Sequence, residues 1–268
     1  GTTIEVHDTI QIGPEEYSDH SDLPSVMTVA DIVAQSSNVG TIRIQQELGN
    51  ERQYEYLDAF GFGRSASIDF AAEQAGRLEH VSRWCHSSCG PSAAIGYGVG
   101  VTALQMAAAY ATIANDGEWI EPHVVAEIIE ADGTRIVTDP RRRTVLSQDT
   151  ATTMRRLLRG VVERGTGNRA AIDGYTVAGK TGTSDKFLVD EARYSDEVSI
   201  ASFIGMAPAG TPSVVVAVVL DSPQGALDDG TELKFGGASA APVFAAVTEA
   251  ALHQRGVTPD AAGADDDE

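Results

Sequence analysis

The chain has 268 residues, of which 42% are hydrophobic, enough to bury a core of domain size, and this excludes a chain disordered throughout. Its 39 acidic and 19 basic residues give a net charge of −20, and so acidic a surface repels phosphate backbones, which excludes nucleic acid as a partner. The longest apolar run, Ser213 to Leu220, has the length of a strand and is far too short to span a bilayer. The chain begins with Gly1 and carries no signal-peptide pattern, so we expect it to be a fragment of a longer protein.

The N-terminal part of the sequence predicts short strands followed by two helices. Residues 1–24 mix Thr, Ile and Val with Asp and Gly, a composition typical of irregular structure or short strands. Thr28 is a suitable N-cap for a helix that stops near Gln35. After the polar turn Ser36-Ser37-Asn38, apolar residues resume at helical spacing and end at Gly49, a natural C-terminal stop.

The middle of the chain predicts three helices, a long loop and a hairpin. Residues 64–100 are rich in Gly, Ser and Ala, which indicates loop structure. Residues 122–146 alternate like strands around the turn signal Asp132-Gly133. The helices are predicted over Arg52–Phe60, Ala103–Ala114 and 148–164. Thr102 and Ser147 are suitable N-caps for the second and the third of them.

The C-terminal part predicts strands with short connections. The first connection is a polar loop containing Asp185, Asp190 and Tyr194, and the second is the Pro- and Gly-containing segment 207–212. Such connections favour antiparallel neighbours over parallel crossovers. The strands are predicted over Tyr175–Ala178, Val198–Met206 and Ser213–Leu220.

The chain as a whole predicts one domain. A last helix is predicted over Ala240–Arg255, and residues 258–268 form an acidic tail that we expect to be disordered. No internal repeat or interdomain linker interrupts the sequence. We therefore expect an α/β fold of the α+β type over residues 1–257, with an antiparallel sheet flanked by helices.

Cys85 and Cys89 lie four residues apart, with His86 between them. Three ligands in one short loop, without a second cysteine pair, make a poor zinc site, so no metal is expected. A local disulfide formed in an oxidising compartment is the first interpretation, and two free thiols are the second.

Two short motifs carry the chemical signal of the sequence. Ser36-Ser37-Asn38 occupies the predicted turn between two helices, and Lys180-Thr181-Gly182-Thr183 is expected to close the strand that begins near Tyr175. Each motif alone has a plain structural interpretation: a helix break with an asparagine turn, and a solvated lysine at a strand end. Together, Ser-x-Asn and Lys-Thr-Gly are two of the three motifs of penicillin-binding proteins and class A β-lactamases.

The sequence around the motifs resembles the transpeptidase domain of the class B penicillin-binding proteins over roughly residues 25–250. The resemblance implies a penicillin-binding transpeptidase or serine β-lactamase-like fold. It also implies an acyl transfer in which a serine attacks a D-Ala-D-Ala peptide bond, D-Ala leaves, and the acyl group passes to an amine of a neighbouring peptidoglycan strand. The matching stretches are Gln35–Gly40, Gly61–Gly63, Val101–Gln105, Asn115–Gly117, Val177–Thr183 and Phe203–Pro208.

The resemblance implies catalytic roles for Ser36, Asn38 and Lys180. The Ser36 hydroxyl would relay a proton to the leaving amine, because a hydroxyl beside a charged lysine can pass one on. Asn38 would hydrogen-bond the backbone amide of the substrate and steady the catalytic lysines. Lys180 would supply positive charge that favours the terminal carboxylate and lowers the pKa of a neighbouring lysine.

The resemblance also implies substrate-binding roles for Thr181, Gly182 and Thr183. The two threonine hydroxyls would bind the terminal carboxylate, and Gly182 would keep the strand edge open for the substrate backbone. The backbone N–H of Thr183 would form one half of an oxyanion hole, a contribution of about 3 kcal/mol per donor.

The sequence departs from the family pattern at the nucleophile. None of its serines is followed by a lysine three residues later, so the Ser-x-x-Lys motif is absent from the printed sequence. In the family this motif precedes Ser-x-Asn, so we expect the nucleophile helix and two N-terminal strands to lie upstream, with natural loss as the alternative. The fragment alone is then expected to be inactive and poorly stable, because a sheet edge is left unpaired. Tyr97 is a second departure, since relatives often have Gln there.

The implied partners are peptidoglycan stem peptides ending in D-Ala-D-Ala, β-lactams, and membrane proteins of the divisome or elongasome. The implied location is the outer face of the cytoplasmic membrane in the cell envelope, reached through an anchor outside this sequence. No cofactor is implied. A β-lactamase or D,D-carboxypeptidase, which passes the acyl group to water, and a penicillin-sensing domain that hardly turns over are the alternatives.

Overall fold

The structure, a computed structural model, describes residues 2–66, 68, 73–188 and 190–261. Within these residues the helices are α1 Val29–Gln35, α2 Asn38–Leu48, α3 Asn50–Phe60, α4 Cys89–Ala94, α5 Ala103–Ala114, α6 Gln148–Arg164 and α7 Gly236–Gln254. The strands are β1 Thr3–Glu5, β2 Thr9–Ile12, β3 Glu15–Ser18, β4 Val26–Thr28, β5 Glu118–Ile120, β6 Glu127–Ile129, β7 Arg135–Val137, β8 Arg142–Thr144, β9 Ala178–Leu188, β10 Arg193–Ala207 and β11 Val214–Asp221.

The three longest strands form an antiparallel sheet in the order β11-β10-β9. The helix α7 packs against one face of this sheet, where Phe203 of β10 and Phe244 of α7 lie with ring centroids 4.7 Å apart in a fully buried core. The other face packs against α5 and α6 through a second apolar cluster that contains Ile113, Leu158 and Met206. The sheet is therefore covered by helices on both faces, which confirms the predicted fold class.

A separate apolar cluster joins the short N-terminal strands to the first two helices. Its members are Val6, Ile10, Met27, Ile32, Val39 and Ile42. Thr28 caps α1 as predicted, in a reciprocal capping box with Asp31. The N-terminal segment thus has the core contacts that fix α1 and α2, and with them the turn between these helices.

Most helix boundaries agree with the sequence prediction. Thr102 caps α5 in a capping box with Gln105, Ser147 caps α6, and α2 ends at Gly49. These boundaries rest on side chains and backbone groups three or four residues apart, which is why the local sequence predicts them.

The predicted position of the lysine motif at the end of its strand is wrong. The strand β9 begins at Ala178, so Lys180 and Gly182 lie near its start and the strand continues to Leu188. Asp185 and Tyr194, assigned to a connecting loop, belong to β9 and β10. The strands extend because Phe187 and Tyr194 are paired across them with ring centroids 5.2 Å apart, and Lys186 Nζ lies 2.6 Å from Asp221 Oδ1.

Two further boundaries differ from the sequence prediction. The segment 64–100, predicted as loop, contains α4, whose Gly90 packs closely against the side chain of Asn50. The last helix begins at Gly236, four residues before the predicted start, because the glycines at its N-terminus allow the helix to approach the sheet backbone closely.

Three smaller features complete the fold. The hairpin of β6 and β7 turns at Asp132-Gly133 as predicted, and Cys85 and Cys89 form a disulfide, the first of the two interpretations. Asp260, in the predicted tail, accepts hydrogen bonds from the Thr176 backbone N–H at 2.7 Å and its hydroxyl at 2.5 Å. Residues 262–268 of that tail lie outside the described residues.

Candidate active site

The two sequence motifs meet in space. The Nζ atom of Lys180 donates a hydrogen bond to the Oγ atom of Ser36 at 2.7 Å, across 144 positions of sequence. Ser36 is the C-cap of α1 and has a left-handed backbone with φ of 58°, an uncommon conformation for a residue with a Cβ atom. This conformation brings the chain out of α1 and directly into α2, so that the Ser36 side chain faces the start of β9.

Burial lowers the pKa of Lys180 to about 8. The ammonium also donates to the Thr181 backbone oxygen at 3.1 Å and to Thr181 Oγ1 at 3.3 Å, and its described neighbours are therefore neutral oxygens. The group remains mostly charged at neutral pH, yet it can release a proton under mildly basic conditions.

The turn that carries Asn38 is held by Asp19. One oxygen of the Asp19 carboxylate accepts from the Ser37 hydroxyl at 2.8 Å, and the other accepts from the backbone N–H of Asn38 at 2.5 Å and of Val39 at 3.2 Å. A carboxylate at the first turn of α2 is stabilised by the free N–H groups and the dipole of the helix. Asn38 is fixed further by a bond from its side-chain amide to the Ser18 carbonyl at 3.0 Å.

The two threonines of the lysine motif are held by separate elements. Thr181 Oγ1 lies 2.7 Å from Thr166 Oγ1, in the loop after α6. Thr183 Oγ1 accepts from the backbone N–H of Gly236, the first residue of α7, at 3.0 Å. The N-terminus of this long helix therefore lies beside the strand edge and places partial positive charge there.

A cleft of about 430 Å³ connects these groups. Five of the six predicted site residues line it, whereas Lys180 lies behind it and contacts Ser36 and Thr181. A side cavity of about 280 Å³ shares His20, Asn38, Ile95, Thr183 and Phe235 with the cleft. The lining of the cleft includes Ser36, Asn38, Thr166, Thr181, Gly182 and Thr183.

Sequence reasoning missed three parts of this arrangement. Asp19 lies in residues 1–24, for which the sequence predicted only irregular structure or short strands, and no role was predicted for Thr166. The N-terminus of α7 was placed four residues too late. The glycines of Gly165-Thr166-Gly167 and Gly236-Gly237 are the sequence signals for Thr166 and for the start of α7, because glycines mark places of close backbone approach. No local pattern points to Asp19.

The arrangement suits an acyl peptide with a free carboxylate. A lysine ammonium, hydroxyls and a helix N-terminus converge on one strand edge, which can pair with an extended peptide. Among the described residues, no group of three or more His, Cys, Asp or Glu side chains is placed to hold a metal ion.

Residues 2–249 match the protein family described as the penicillin binding protein transpeptidase domain. The chain belongs to this family. The penicillin-binding transpeptidase fold expected from the resemblance is thereby confirmed, and the relatives below place the chain with the class B proteins.

Curated relatives extend this assignment. The chain is 38% identical over 240 residues to the penicillin-binding protein PbpB of Mycolicibacterium smegmatis, covering 86% of this chain and 36% of that protein. It is 34% identical over 250 residues to the probable peptidoglycan D,D-transpeptidase PenA of Neisseria meningitidis, covering 93% of this chain and 40% of that protein. The chain thus spans between about a third and two fifths of the length of these relatives.

A solved structure with the same fold is penicillin-binding protein 3 of Mycobacterium tuberculosis, in complex with ampicillin. The TM-score is 0.89 at 33% identity, and the match covers 98% of this chain and 59% of that chain. A second structure of the same protein holds aztreonam, with a TM-score of 0.88. In the described part of the chain, none of the helices combines the length and the apolar character needed to cross a membrane.

Proposed function

We propose that this chain is part of a class B peptidoglycan D,D-transpeptidase. The observation that carries the proposal is the 2.7 Å hydrogen bond from Lys180 to Ser36, beside a strand edge bearing Thr181 and Thr183. In this proposal Lys180 is the proton donor, Ser36 the relay hydroxyl and the Thr181–Thr183 edge the binding site for the carboxylate. The relatives named as D,D-transpeptidase and penicillin-binding protein support the same reaction.

The donor peptide would lie along the outer edge of β9 with its terminal carboxylate at Thr181 and Thr183. Positive charge from Lys180 and from the N-terminus of α7 favours that carboxylate. Gly182 would leave the strand edge open for the substrate backbone. A Cβ atom at this position would also collide with the hydroxyl of Ser202, its partner on β10. Asn38, fixed by Ser18 and Asp19, would bind the amide that precedes the scissile bond.

The nucleophile would be the serine of a Ser-x-x-Lys segment, which the printed sequence does not contain. Its hydroxyl gives its proton to the lysine of the same segment as its oxygen attacks the carbonyl carbon of the D-Ala-D-Ala bond, and the backbone N–H of Thr183 helps bind the resulting oxyanion. When the bond breaks, Ser36 passes its proton to the leaving amine and takes one from Lys180. An amine of a second stem peptide then attacks the carbonyl carbon of the acyl-enzyme, the bond to the serine oxygen breaks, and the proton lost by the amine returns to that oxygen, which completes the cross-link. The chain of 268 residues alone is therefore predicted to be inactive.

The reaction implies a location at the outer face of the cytoplasmic membrane, where the stem peptides are. Division or elongation membrane proteins are the expected partners there. The relatives support a role in the envelope: one is a penicillin-binding protein, and another is the stage V sporulation protein D of Bacillus subtilis, 35% identical over 241 residues.

The test is covalent labelling of the full-length protein with a fluorescent penicillin, followed by mass spectrometry. The full-length protein should form a stable adduct and exchange its terminal D-Ala for an added D-amino acid. The Ser36→Ala variant should lose most of this exchange, while Gly210→Ala, which alters an exposed loop with nothing within 4 Å, should keep it. Rapid hydrolysis of the adduct without exchange would replace the proposal by a β-lactamase or carboxypeptidase. Absence of any adduct would reject it.

A further inference from the structure

A separate cavity of about 390 Å³ lies between the C-terminal end of α3, the helix α5 and the strand pair of β5 and β8. Among the described residues, none lines both this cavity and the cleft, so the two spaces are distinct. Four arginines line the cavity, in a chain whose net charge is −20. We call this space the arginine cavity, after Arg64, Arg141, Arg142 and Arg143.

The charges around the arginine cavity are not balanced. Three of the four arginines form an ion pair with a carboxylate, whereas Arg143 forms none within the described part of the chain. Burial and the neighbouring charge of Arg64 lower the pKa of Arg143, and an anion beside Arg143 would offset the effect of that charge. The three ion pairs are Arg64 with Asp58, Arg141 with Glu121, and Arg142 with Glu118.

The side chain of Arg143 is held in place without the use of all its donors. Its Nε atom donates to the carbonyl oxygen of Ala59 at 2.8 Å, and its guanidinium carbon lies 3.5 Å from the centroid of the Trp119 ring. These two contacts fix the plane of the guanidinium. Within residues 2–66, 68, 73–188 and 190–261, its two Nη groups have no acceptor, so they can donate to a ligand.

The indole N–H of Trp119 is a second donor without an acceptor at the same place. Trp119 is only 5% exposed, and no described group accepts from its buried Nε1 atom, an arrangement that native proteins rarely leave uncompensated. The Nε1 atom lies 3.6 Å, and Nη2 of Arg143 3.3 Å, from the position of a Cβ atom built on Gly61. Both donors therefore lie on the same side of Gly61, which lines the cavity. An anion drawn to Arg143 arrives beside this N–H.

The placement of the donors favours a tetrahedral oxyanion over a carboxylate. Arg143 and Trp119 lie on the paired strands β8 and β5, and Arg64 follows α3. A carboxylate has two oxygens in one plane, which a single guanidinium satisfies. A phosphate group directs its oxygens in three dimensions and carries up to two negative charges, so donors from several elements can bind it together. The volume of the cavity also accommodates an organic group attached to the phosphate.

We propose that the arginine cavity is a binding site for a phosphate group, with Arg143 and the indole N–H of Trp119 as its central donors and Arg64 beside them. The site lies outside the cleft and is independent of the transpeptidase reaction. Free phosphate and the phosphodiester of a lipid headgroup share this chemistry, and the experiment below distinguishes these two sources.

The test is isothermal titration calorimetry of the full-length protein at constant ionic strength. Inorganic phosphate is one probe, glycerophosphoglycerol is the phosphodiester probe, and acetate is the planar anion for comparison. Arg143→Gln and Trp119→Phe should each weaken binding of the phosphate probe about tenfold, the effect of one hydrogen bond to a charged group. The matched control is Arg156→Gln, which removes the same charge from an exposed position on α6 and should leave the affinity unchanged.

Circular dichroism shows whether each variant is folded. Arg143 is exposed, so Arg143→Gln should keep the fold and test the site even where Trp119→Phe does not. Tighter binding of glycerophosphoglycerol than of inorganic phosphate would support the site and assign it to a phosphodiester, and the reverse order would assign it to free phosphate.

Three results would overturn the proposal. In the first, neither phosphate probe binds at millimolar concentration. In the second, acetate binds as tightly as phosphate, which would remove the argument for a tetrahedral anion. In the third, Arg156→Gln weakens binding as much as Arg143→Gln does, which would show that binding follows the net charge of the protein and not the arginine cavity.

Discussion

The carboxylate of Asp19 accepts a hydrogen bond from the hydroxyl of Ser37 at 2.8 Å and fastens the N-terminus of α2 to the strand segment before it. The same carboxylate binds the backbone N–H groups of Asn38 and Val39, so the position of the Ser-x-Asn turn depends on a residue 18 positions upstream of Ser37. The Asp19 carboxylate thereby fixes the position of Asn38 and of the turn that also carries Ser36.

Replacement of Asp19 by Ala should reduce both stability and activity. The loss of an N-terminal capping carboxylate costs about 1 to 2 kcal/mol, and we expect a decrease of this size in the free energy of unfolding. Acylation of the full-length protein by a fluorescent penicillin should slow as the turn loosens. Asp19→Asn should have the smaller effect because its amide oxygen can still accept.

The control for Asp19 is the exposed Asp22, three residues along the same segment, for which Asp22→Ala should change neither property. Urea denaturation gives the stability, and stopped-flow fluorescence gives the acylation rate. An Asp19→Ala variant as stable and as fast as the wild type would show that Ser37 alone holds the turn.

The charge of Lys180 predicts a pH dependence. Because burial lowers its pKa to about 8, the ammonium loses its proton as the pH rises through this value, whereas an ordinary lysine remains charged to about 10. Binding of a ligand carboxylate should weaken over that interval. The affinity of the first, non-covalent complex, obtained from the concentration dependence of penicillin acylation between pH 6 and 10, should fall above pH 8.

The matched variant is Lys180→Arg, whose guanidinium keeps its charge over the whole range. Its affinity should be lower at pH 7, because the Ser36 contact is altered, but it should not decline between pH 8 and 10. A wild-type profile that is flat to pH 10 would contradict the low pKa of Lys180.

The low pKa of Lys180 also affects stability. Ligand affinity should fall as the pH rises, whereas the free energy of unfolding should increase. The folded chain releases the Lys180 proton near pH 8 and the unfolded chain near pH 10.5, so between these values the unfolded state binds more protons. The contribution of Lys180 to folding is therefore least favourable below pH 8 and improves as the pH rises towards 10.5. In Lys180→Met this pH-dependent contribution is absent. The free energy of unfolding of the wild type should therefore increase relative to that of the variant as the pH rises from 8 to 10.5, as measured by urea denaturation at each pH.

The disulfide between Cys85 and Cys89 should stabilise the loop before α4. The chain-entropy relation gives about 2 kcal/mol for a ring of this sequence separation, which is 4 residues. Reduction by tris(2-carboxyethyl)phosphine should therefore lower the midpoint of urea denaturation. The double variant Cys85→Ser and Cys89→Ser is the control: it should unfold at the lower midpoint and no longer respond to the reductant.

Local contacts explain which parts of the fold the sequence predicts. The caps of α1 and α5 are closed by Thr28 with Asp31 and by Thr102 with Gln105, pairs only three residues apart, and their boundaries were predicted correctly. The motifs were found because each is contiguous, although their 2.7 Å contact spans 144 positions. The family resemblance, and not the hydrophobic periodicity, led us to expect these two motifs in one site, and the roles proposed for their residues come from the same resemblance.

Long-range contacts explain the errors. Ser184 and Asp185 are polar, and their local sequence favours a loop. They nevertheless belong to β9, because both pair with residues of β10. The start of α7 was not predicted correctly because glycine is a poor helix former. The helix nevertheless begins at Gly236 and Gly237, because there is no space for a Cβ atom between its first turn and the neighbouring backbone. The contacts of Asp19 with Ser37 and of Thr166 with Thr181 span 18 and 15 positions, so the local sequence does not give the partners.

The close approach at the start of α7 gives the last prediction. A Cβ atom on Gly237 would collide with the backbone oxygen of Thr166, which cannot move without displacing the hydroxyl that contacts Thr181. Gly237→Ala should therefore destabilise the fold by about 1 to 3 kcal/mol, the usual cost of overpacking. It should also slow penicillin acylation, because α7 is pushed away from the edge bearing Thr183. Gly210→Ala, at a loop position with open space, should leave both quantities unchanged. Normal stability together with normal acylation in Gly237→Ala would mean that the helix can shift freely, and that its N-terminus does not contribute to the carboxylate site.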